Sequence, residues 1–179
     1  MMRHFLVLLL SAAFMLPQGA RAQFVEKSTD VLCLLPSATA AVLTLVNKDE
    51  KGFKQFALST LTSTVLSYGL EACITKKRPD GDGMHSMPST HTMIAFSGAS
   101  FLQRRYGWKW GAPAYAVATY VAWGRVHSKR HDIWDVLAGT AIGVGATYVF
   151  TRPFMKGTDV AISPAVIDDA KCLNVAITF

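Results

Sequence analysis

Residues 76–92 read KKRPDGDGMHSMPSTHT: three cations, a proline, a glycine-rich turn, then Pro88-Ser89-Thr90-His91 at the head of an apolar run. Glycine and proline at this density interrupt regular structure, so the stretch is a loop. Small hydroxyl residues just ahead of an apolar run mark a helix start. A solvated linker mixes its charges, whereas here the cations come first and the hydroxyls last. The order suits half of an anion site, with charge from the loop and backbone N–H groups from the opening helix. The other half has to come from elsewhere in the chain.

On both sides of this loop the pattern is helical. Residues 31–47, 55–70, 86–103, 110–124 and 136–151 contain no Asp, Glu, Lys or Arg and are rich in Ala, Leu, Val, Gly, Ser and Thr. Each is too long for a typical strand, which predicts five helices. Their lengths fall between a buried core helix and the ~20 apolar residues that span a bilayer. Gly139, Ala141, Gly143, Gly145 and Ala146 in the last segment permit close helix contacts in either setting.

The first residues have the form of a leader. Arg3 precedes a short apolar run, and Ala20-Arg21-Ala22 is a small-x-small cleavage site, so residues 1–22 are expected to be a secretory signal peptide. The alternative is an uncleaved first membrane helix. Residues 23–156 then form one helical domain, with 157–179 as a tail. Val160-Ala161-Ile162 and residues 174–179, separated by Pro164 and Asp168-Asp169, predict a pair of short strands in that tail.

Charge narrows the setting. The formal net charge is +6, and loss of Arg3 and Arg21 with the leader brings it to +4. A modest positive excess suits an anionic small molecule or anionic lipid. No basic run with interleaved aromatics follows a nucleic acid backbone, which excludes that class of partner. Cys33, Cys73 and Cys172 are odd in number and lack metal-ligand spacing; in an oxidising compartment one pair could bridge, and apolar neighbours around the first two make buried free thiols at least an equal expectation. If residue 23 lies outside the cell, Lys48, Lys51, Lys54, Arg104, Arg105, Lys109, Arg152 and Lys156 fall on the inner side, as the positive-inside rule asks. The remaining basic loops then face outward, where a phosphate site gives them a reason to be. Trp108, Trp110, Trp123 and Trp134 sit near predicted helix ends, with core packing as the expectation and an interfacial belt as the membrane alternative.

The second half of the site is GRVHSKRHDIWD, residues 124–135. His131 and Asp135 are four apart and share a helix face. An acid in that position takes the proton of one imidazole nitrogen and leaves the other free to react. Arg125, at the end of the preceding helix, has the planar fork that grips phosphate oxygens.

With Arg78-Pro79, Pro88-Ser89-Thr90-His91 and Arg125-x5-His131-x3-Asp135 in this order, the chain resembles the type 2 phosphatidic acid phosphatase superfamily, which includes lipid phosphatases and class A acid phosphatases. It carries Glu71, Thr90 and Gly124 where that family has lysine, glycine and serine. The resemblance implies an all-α fold, a helical bundle of five or so core helices with the strand-like tail appended. It implies a phosphoric ester hydrolase in which His131 is the nucleophile and forms a phosphohistidine, Asp135 orients it, and His91 protonates the leaving oxygen. Arg78, Arg125, Ser89, Thr90 and Lys77 would bind the phosphate, Lys76 or Lys77 standing in for the family lysine. No metal or other cofactor is implied, because the cations do its electrostatic work. The expected substrate is a phosphorylated lipid of the lipid A, phosphatidylglycerol phosphate or undecaprenyl diphosphate type. The expected place is the bacterial inner membrane with a periplasm-facing site. A soluble periplasmic acid phosphatase for small phosphate esters and a non-catalytic binder of anionic lipid are the alternatives.

Overall fold

The protein is described by a computed structural model covering residues 18–81, 83–154, 159–167 and 170–178. Its central element is α4 (Thr90–Tyr106), around which pack α2 (Leu35–Val46), α3 (Glu50–Cys73), α5 (Trp108–His127) and α6 (Ile133–Phe150). An additional helix, α1 (Gln18–Leu32), lies mainly against α5. The five helices α2 to α6 alternate in direction, so the α4 start, the α5 end and the α6 start meet at one end of the bundle. The loops at Asp49, Gly107 and Thr151 gather at the other.

The sequence places small residues where the helices touch. In α4, Ala95, Ser97, Gly98, Ala99 and Ser100 are all buried, and Phe101 and Leu102 follow them into the core. Gly139 lets α6 approach the head of α4, since a Cβ there would stand 2.4 Å from the Ser89 carbonyl oxygen. Small-residue seams of this kind bring backbones together where apolar burial gives little drive.

Buried hydroxyls replace much of the usual aliphatic core. Ser59, Ser63, Ser67, Thr44 and Thr147 have almost no exposure. Most return their proton to a carbonyl a turn back: Ser59 Oγ to Phe56 O at 2.9 Å, Thr44 Oγ1 to Ala41 O at 2.7 Å, Thr147 Oγ1 to Gly143 O at 2.8 Å. Many large apolar side chains point outward instead, among them Val42, Leu45, Leu61, Val65, Leu137 and Val149. Exposed apolar side chains in this number suit contact with lipid tails better than contact with water. Ala22–Val46 and Ile133–Phe150 are each long and apolar enough to cross a bilayer.

The tryptophans depart from the core-packing expectation. Trp108 and Trp110 are exposed at one end of α5, while Trp123 and Trp134 are exposed at the other end of the bundle. At 1.5 Å per residue, Trp108 and Trp123 stand ~22 Å apart along the helix. Two aromatic rings of residues at opposite ends of an apolar surface form the pattern of a membrane interface.

At the end away from the α4 start, Arg105 is buried and forks onto Asp49, with Nε 2.7 Å from Oδ2 and Nη2 2.5 Å from Oδ1. The Tyr106 hydroxyl donates to the same carboxylate at 3.0 Å, and Arg105 Nη1 donates to the Arg152 and Pro153 carbonyls. Burial pushes the Asp49 carboxyl up, but the bonds from Arg105, Gly52 and Tyr106 outweigh it and hold its pKa low. This knot fastens the α2–α3 turn, α4 and the chain after α6 to one another.

Helix limits differ from those expected because charge-free runs omit helix ends. Helix α3 starts at Glu50 and runs to Cys73, taking in Lys51 and Lys54, since charged ends project beyond the apolar zone. The segment expected to be helical from residue 86 begins at Thr90, with Ser89 as N-cap after Pro88. Cys33 is a buried free thiol as expected, whereas Cys73 is exposed at the α3 end. Helix α1 runs through the Ala22–Gln23 bond where leader cleavage was expected; most of the leader-like run, residues 1–17, lies outside the described residues. The tail forms an antiparallel pair, β1 (Asp159–Ile167) and β2 (Ala170–Thr178), longer than expected and with Pro164 inside β1 opposite Leu173. In a two-stranded ribbon both strands are edges, where proline is tolerated.

Candidate active site

The two halves read from the sequence meet at the α4 start. The Ser89 N–H donates to the Asp135 carbonyl at 2.9 Å, joining the head of α4 to the first turn of α6. Asp132 caps α6 by accepting from the Trp134 and Asp135 N–H groups, and the Asp135 carboxylate returns to the Asp132 N–H at 3.0 Å. This reciprocal capping box fixes Asp135, which is fully buried.

His131 is buried one residue before that cap, outside α6, so the helix face expected to carry it with Asp135 does not reach it. Its Nδ1 lies 2.8 Å from the Ser86 carbonyl oxygen and 3.6 Å from Asp135 Oδ2. A carbonyl only accepts, so Nδ1 carries the proton and Nε2 the lone pair. Burial, followed by the charge of Arg125, outweighs the Ser86 bond and Asp135 and depresses the His131 pKa to about 4. The imidazole is therefore neutral near pH 7, with its unshared pair on Nε2.

Asp135 reaches His131 through Ser86 rather than directly. The Ser86 hydroxyl donates to Asp135 Oδ2 at 2.5 Å while its carbonyl accepts from His131. The other carboxylate oxygen, Oδ1, takes Lys76 Nζ at 2.6 Å, and Lys76 also lies 2.6 Å from Asp132 Oδ2. Burial works against the Lys76 ammonium, yet its bonds to Asp132 and Asp135 prevail and raise its pKa. Lys76 is thus the lysine drawn into the site, and Lys77 is exposed.

The cationic wall is formed by Arg125 and Arg78. Arg125 is buried, its Nη1 donating to Asp30 Oδ1 at 2.6 Å, while its Nε has no partner among the described residues. His91 Nε2 lies 3.2 Å from the same Asp30 oxygen. Arg78 is half-buried, its N–H bonded to the Gly83 carbonyl, and its charge is felt by both His91 and His131. Ser89 is buried with its hydroxyl 3.1 Å from Thr92 Oγ1, and Thr90 opens α4. His131, Asp135, His91, Arg78 and Arg125 are therefore brought together, whereas Ser89 is turned into its own helix and Lys77 toward solvent. His85 ties the loop to the α3 end through the Glu71 carbonyl at 2.7 Å.

Three participants had not been singled out. Asp132 was readable as the first residue of an Asp-x-x-Asp capping box. Ser86 acts through its backbone as much as its hydroxyl, and no residue-type signal marks that. Asp30 precedes the first apolar segment by one residue, and only the packing of α1 brings it to Arg125. That packing also accounts for Gly124: a Cβ there would stand 2.5 Å from Thr29 Cγ2.

Residues 7–158 match the PAP2 superfamily. The chain is 34% identical over 149 residues to the lipid A 4'-phosphatase of Helicobacter pylori (strain J99), covering 77% of this chain and 75% of that protein. It is 37% identical over 70 residues to the lipid A 1-phosphatase of Porphyromonas gingivalis, a match spanning 37% of this chain and 16% of the relative. Among solved structures it is similar to Aquifex aeolicus LpxE, with TM-score 0.59, 21% identity and coverage of 70% and 84% of the two chains. It is equally similar to a transmembrane PAP2-type phosphatidylglycerolphosphate phosphatase from Bacillus subtilis, with TM-score 0.59, 22% identity and coverage of 78% and 79%.

Proposed function

The chain belongs to the PAP2 superfamily, and because its relatives are lipid A phosphatases we propose that it is a membrane-associated phosphatase that hydrolyses a phosphate monoester on a lipid A-type glycolipid through a phosphohistidine intermediate. The observation that carries this reading is Arg125: a buried guanidinium, one nitrogen on a carboxylate oxygen beside His91, another buried with no partner among the described residues. A buried donor left unpaired is costly, and a tetrahedral oxyanion supplies several acceptors at once.

In this reading His131 Nε2 attacks phosphorus and the bond to the lipid oxygen breaks. Arg125 and Arg78 hold the non-bridging oxygens, assisted by backbone N–H groups at the α4 start, where the helix dipole favours negative charge. His91 gives its proton to the departing alkoxide, then takes one from the water that attacks the phosphohistidine. The positive charge that develops on His131 is balanced by the Ser86 carbonyl and, one bond further, by Asp135.

The site faces the periplasm in this proposal. Lys48, Lys51, Lys54, Arg104, Lys109 and Arg152 gather at the opposite end, which is the arrangement of a cytoplasmic face. Cations at the site end are neutralised in part by acids, as with Arg130 on Glu26 and Asp80 and Lys76 on Asp132 and Asp135. The lipid A choice rests on the Helicobacter relative, which matches three-quarters of both chains.

The test is phosphate release in detergent micelles from lipid A, phosphatidylglycerol phosphate, undecaprenyl diphosphate and a soluble aryl phosphate, each beside His131→Ala. Release from lipid A that His131→Ala abolishes, with weaker release from the other lipids, is the expected result. A clear preference for another lipid overturns the substrate assignment, and equal turnover by His131→Ala overturns the nucleophile.

A further inference from the structure

The phosphate seat proposed above contains a carboxylate of the protein itself. Asp30 Oδ1 stands 2.6 Å from Arg125 Nη1 and 3.2 Å from His91 Nε2, so one oxygen contacts both the expected anion clamp and the expected proton donor. A phosphoryl group in the proposed reaction needs the same two partners, Arg125 for a non-bridging oxygen and His91 for the ester oxygen. The carboxylate does not arrive on a mobile loop. Helix α1 is fastened by Glu26 to Arg130 at 2.7 Å, by Ser28 to Tyr120 at 3.0 Å, and by the packing of Thr29 on Gly124. The Asp30 side chain is nonetheless 45% exposed, so rotation about its own bonds can carry the carboxylate toward solvent while α1 stays in place.

Resting on the phosphatase reading, we infer that Asp30 is a resident competitor for the phosphate seat and sets the affinity of the site for phosphate oxyanions. Two anions cannot share Arg125 Nη1 and His91 Nε2 without strong repulsion at this distance. Phosphate binding therefore displaces the Asp30 carboxylate, and the affinity observed is the intrinsic one reduced by the fraction of molecules in which Asp30 is seated. The same competition speeds departure of inorganic phosphate after turnover, because the carboxylate retakes Arg125. The α1 helix is in this way part of the site and determines how tightly it holds substrate and product.

The test is direct binding of inorganic phosphate and of orthovanadate to the detergent-solubilised full chain, followed by calorimetry, for wild type and Asp30→Asn. The carboxamide keeps the shape and removes the charge. Asp30→Asn is expected to bind both anions at least tenfold more tightly, and to show correspondingly stronger product inhibition by phosphate. If wild type binds phosphate and Asp30→Asn binds it equally or more weakly, Asp30 is not a competitor and the inference is overturned while the phosphatase reading stands. If neither binds phosphate or vanadate, the phosphate seat itself is refuted, and the inference with it. Should Asp30→Asn fail to fold, Asp30→Ser removes the charge with a smaller polar side chain and carries the same expectation.

Discussion

The carbonyl oxygen of Ser86 holds Nδ1 of His131 at 2.8 Å, closer than the Asp135 carboxylate at 3.6 Å. This contact fixes the tautomer of His131 by backbone geometry, and the acid supports it from one hydrogen bond away. Ser86→Ala keeps the carbonyl and removes only the 2.5 Å hydroxyl bond to Asp135. A hydrogen bond to a carboxylate contributes roughly 1.5–3 kcal/mol. Steady-state kinetics on the lipid substrate should therefore show kcat lowered by about tenfold or more with KM little changed. An unchanged kcat would mean that Asp135 supports His131 by another route.

Acid stability should depend on His131. Its folded pKa of about 4 lies below the ordinary histidine value of 6.5, so the unfolded chain binds the proton first. The contribution of the neutral, buried ring is complete above pH 6.5 and is lost as pH falls toward 4. Thermal unfolding in detergent across this range should show a steeper loss of Tm for wild type than for His131→Asn. Parallel curves would contradict the depressed pKa.

Lys76 and Lys77 are neighbours with different duties. Lys76 faces two carboxylates, one of them on the fully buried Asp135, and Lys77 is exposed. Lys76→Met leaves a buried carboxylate without its cation, at a cost on the order of 3 kcal/mol. Lys77→Met is a surface change and should stay within roughly 0.5 kcal/mol. Denaturation of the two variants side by side separates them, and equal losses would refute the assignment of Lys76.

Restoring serine at position 124 should be harmful here. Gly124→Ser places a Cβ against Thr29 Cγ2, at 2.5 Å before any adjustment. Overpacking of this kind costs about 1–3 kcal/mol. The double variant Gly124→Ser with Thr29→Ala should recover most of that loss, because the clashing methyl is gone. Additive losses in a double-mutant cycle would show that the α1–α5 contact is not the reason for glycine.

Much of the bundle could be read from charge alone. Runs without charged residues can only be helices at these lengths, and their order gave α2 to α6 together with the loop that opens α4. Helix ends were less legible, since Lys51, Lys54 and Arg104 belong to helices but lie outside the charge-free runs. Helix faces were hidden as well. When lipid-facing positions are apolar and packed positions are Ala, Gly or Ser, the usual contrast between a wet face and a dry one is absent. The expectation that the tryptophans pack in the core failed for that reason.

For the site, sequence by itself determined the residue types, their spacing and the loops that hold them, because Ser89 and His91 flank one helix start and His131 and Asp135 flank another. Only the tertiary structure decided who partners whom. Lys76 with Asp135, Ser86 with His131 and Asp30 with Arg125 are joined across 59, 45 and 95 residues. Those pairings depend on how each helix is rotated and how closely it approaches the next, which steric room at Gly124 and Gly139 controls. Local spacing fixes direction along a helix, whereas the choice of partner is made by packing.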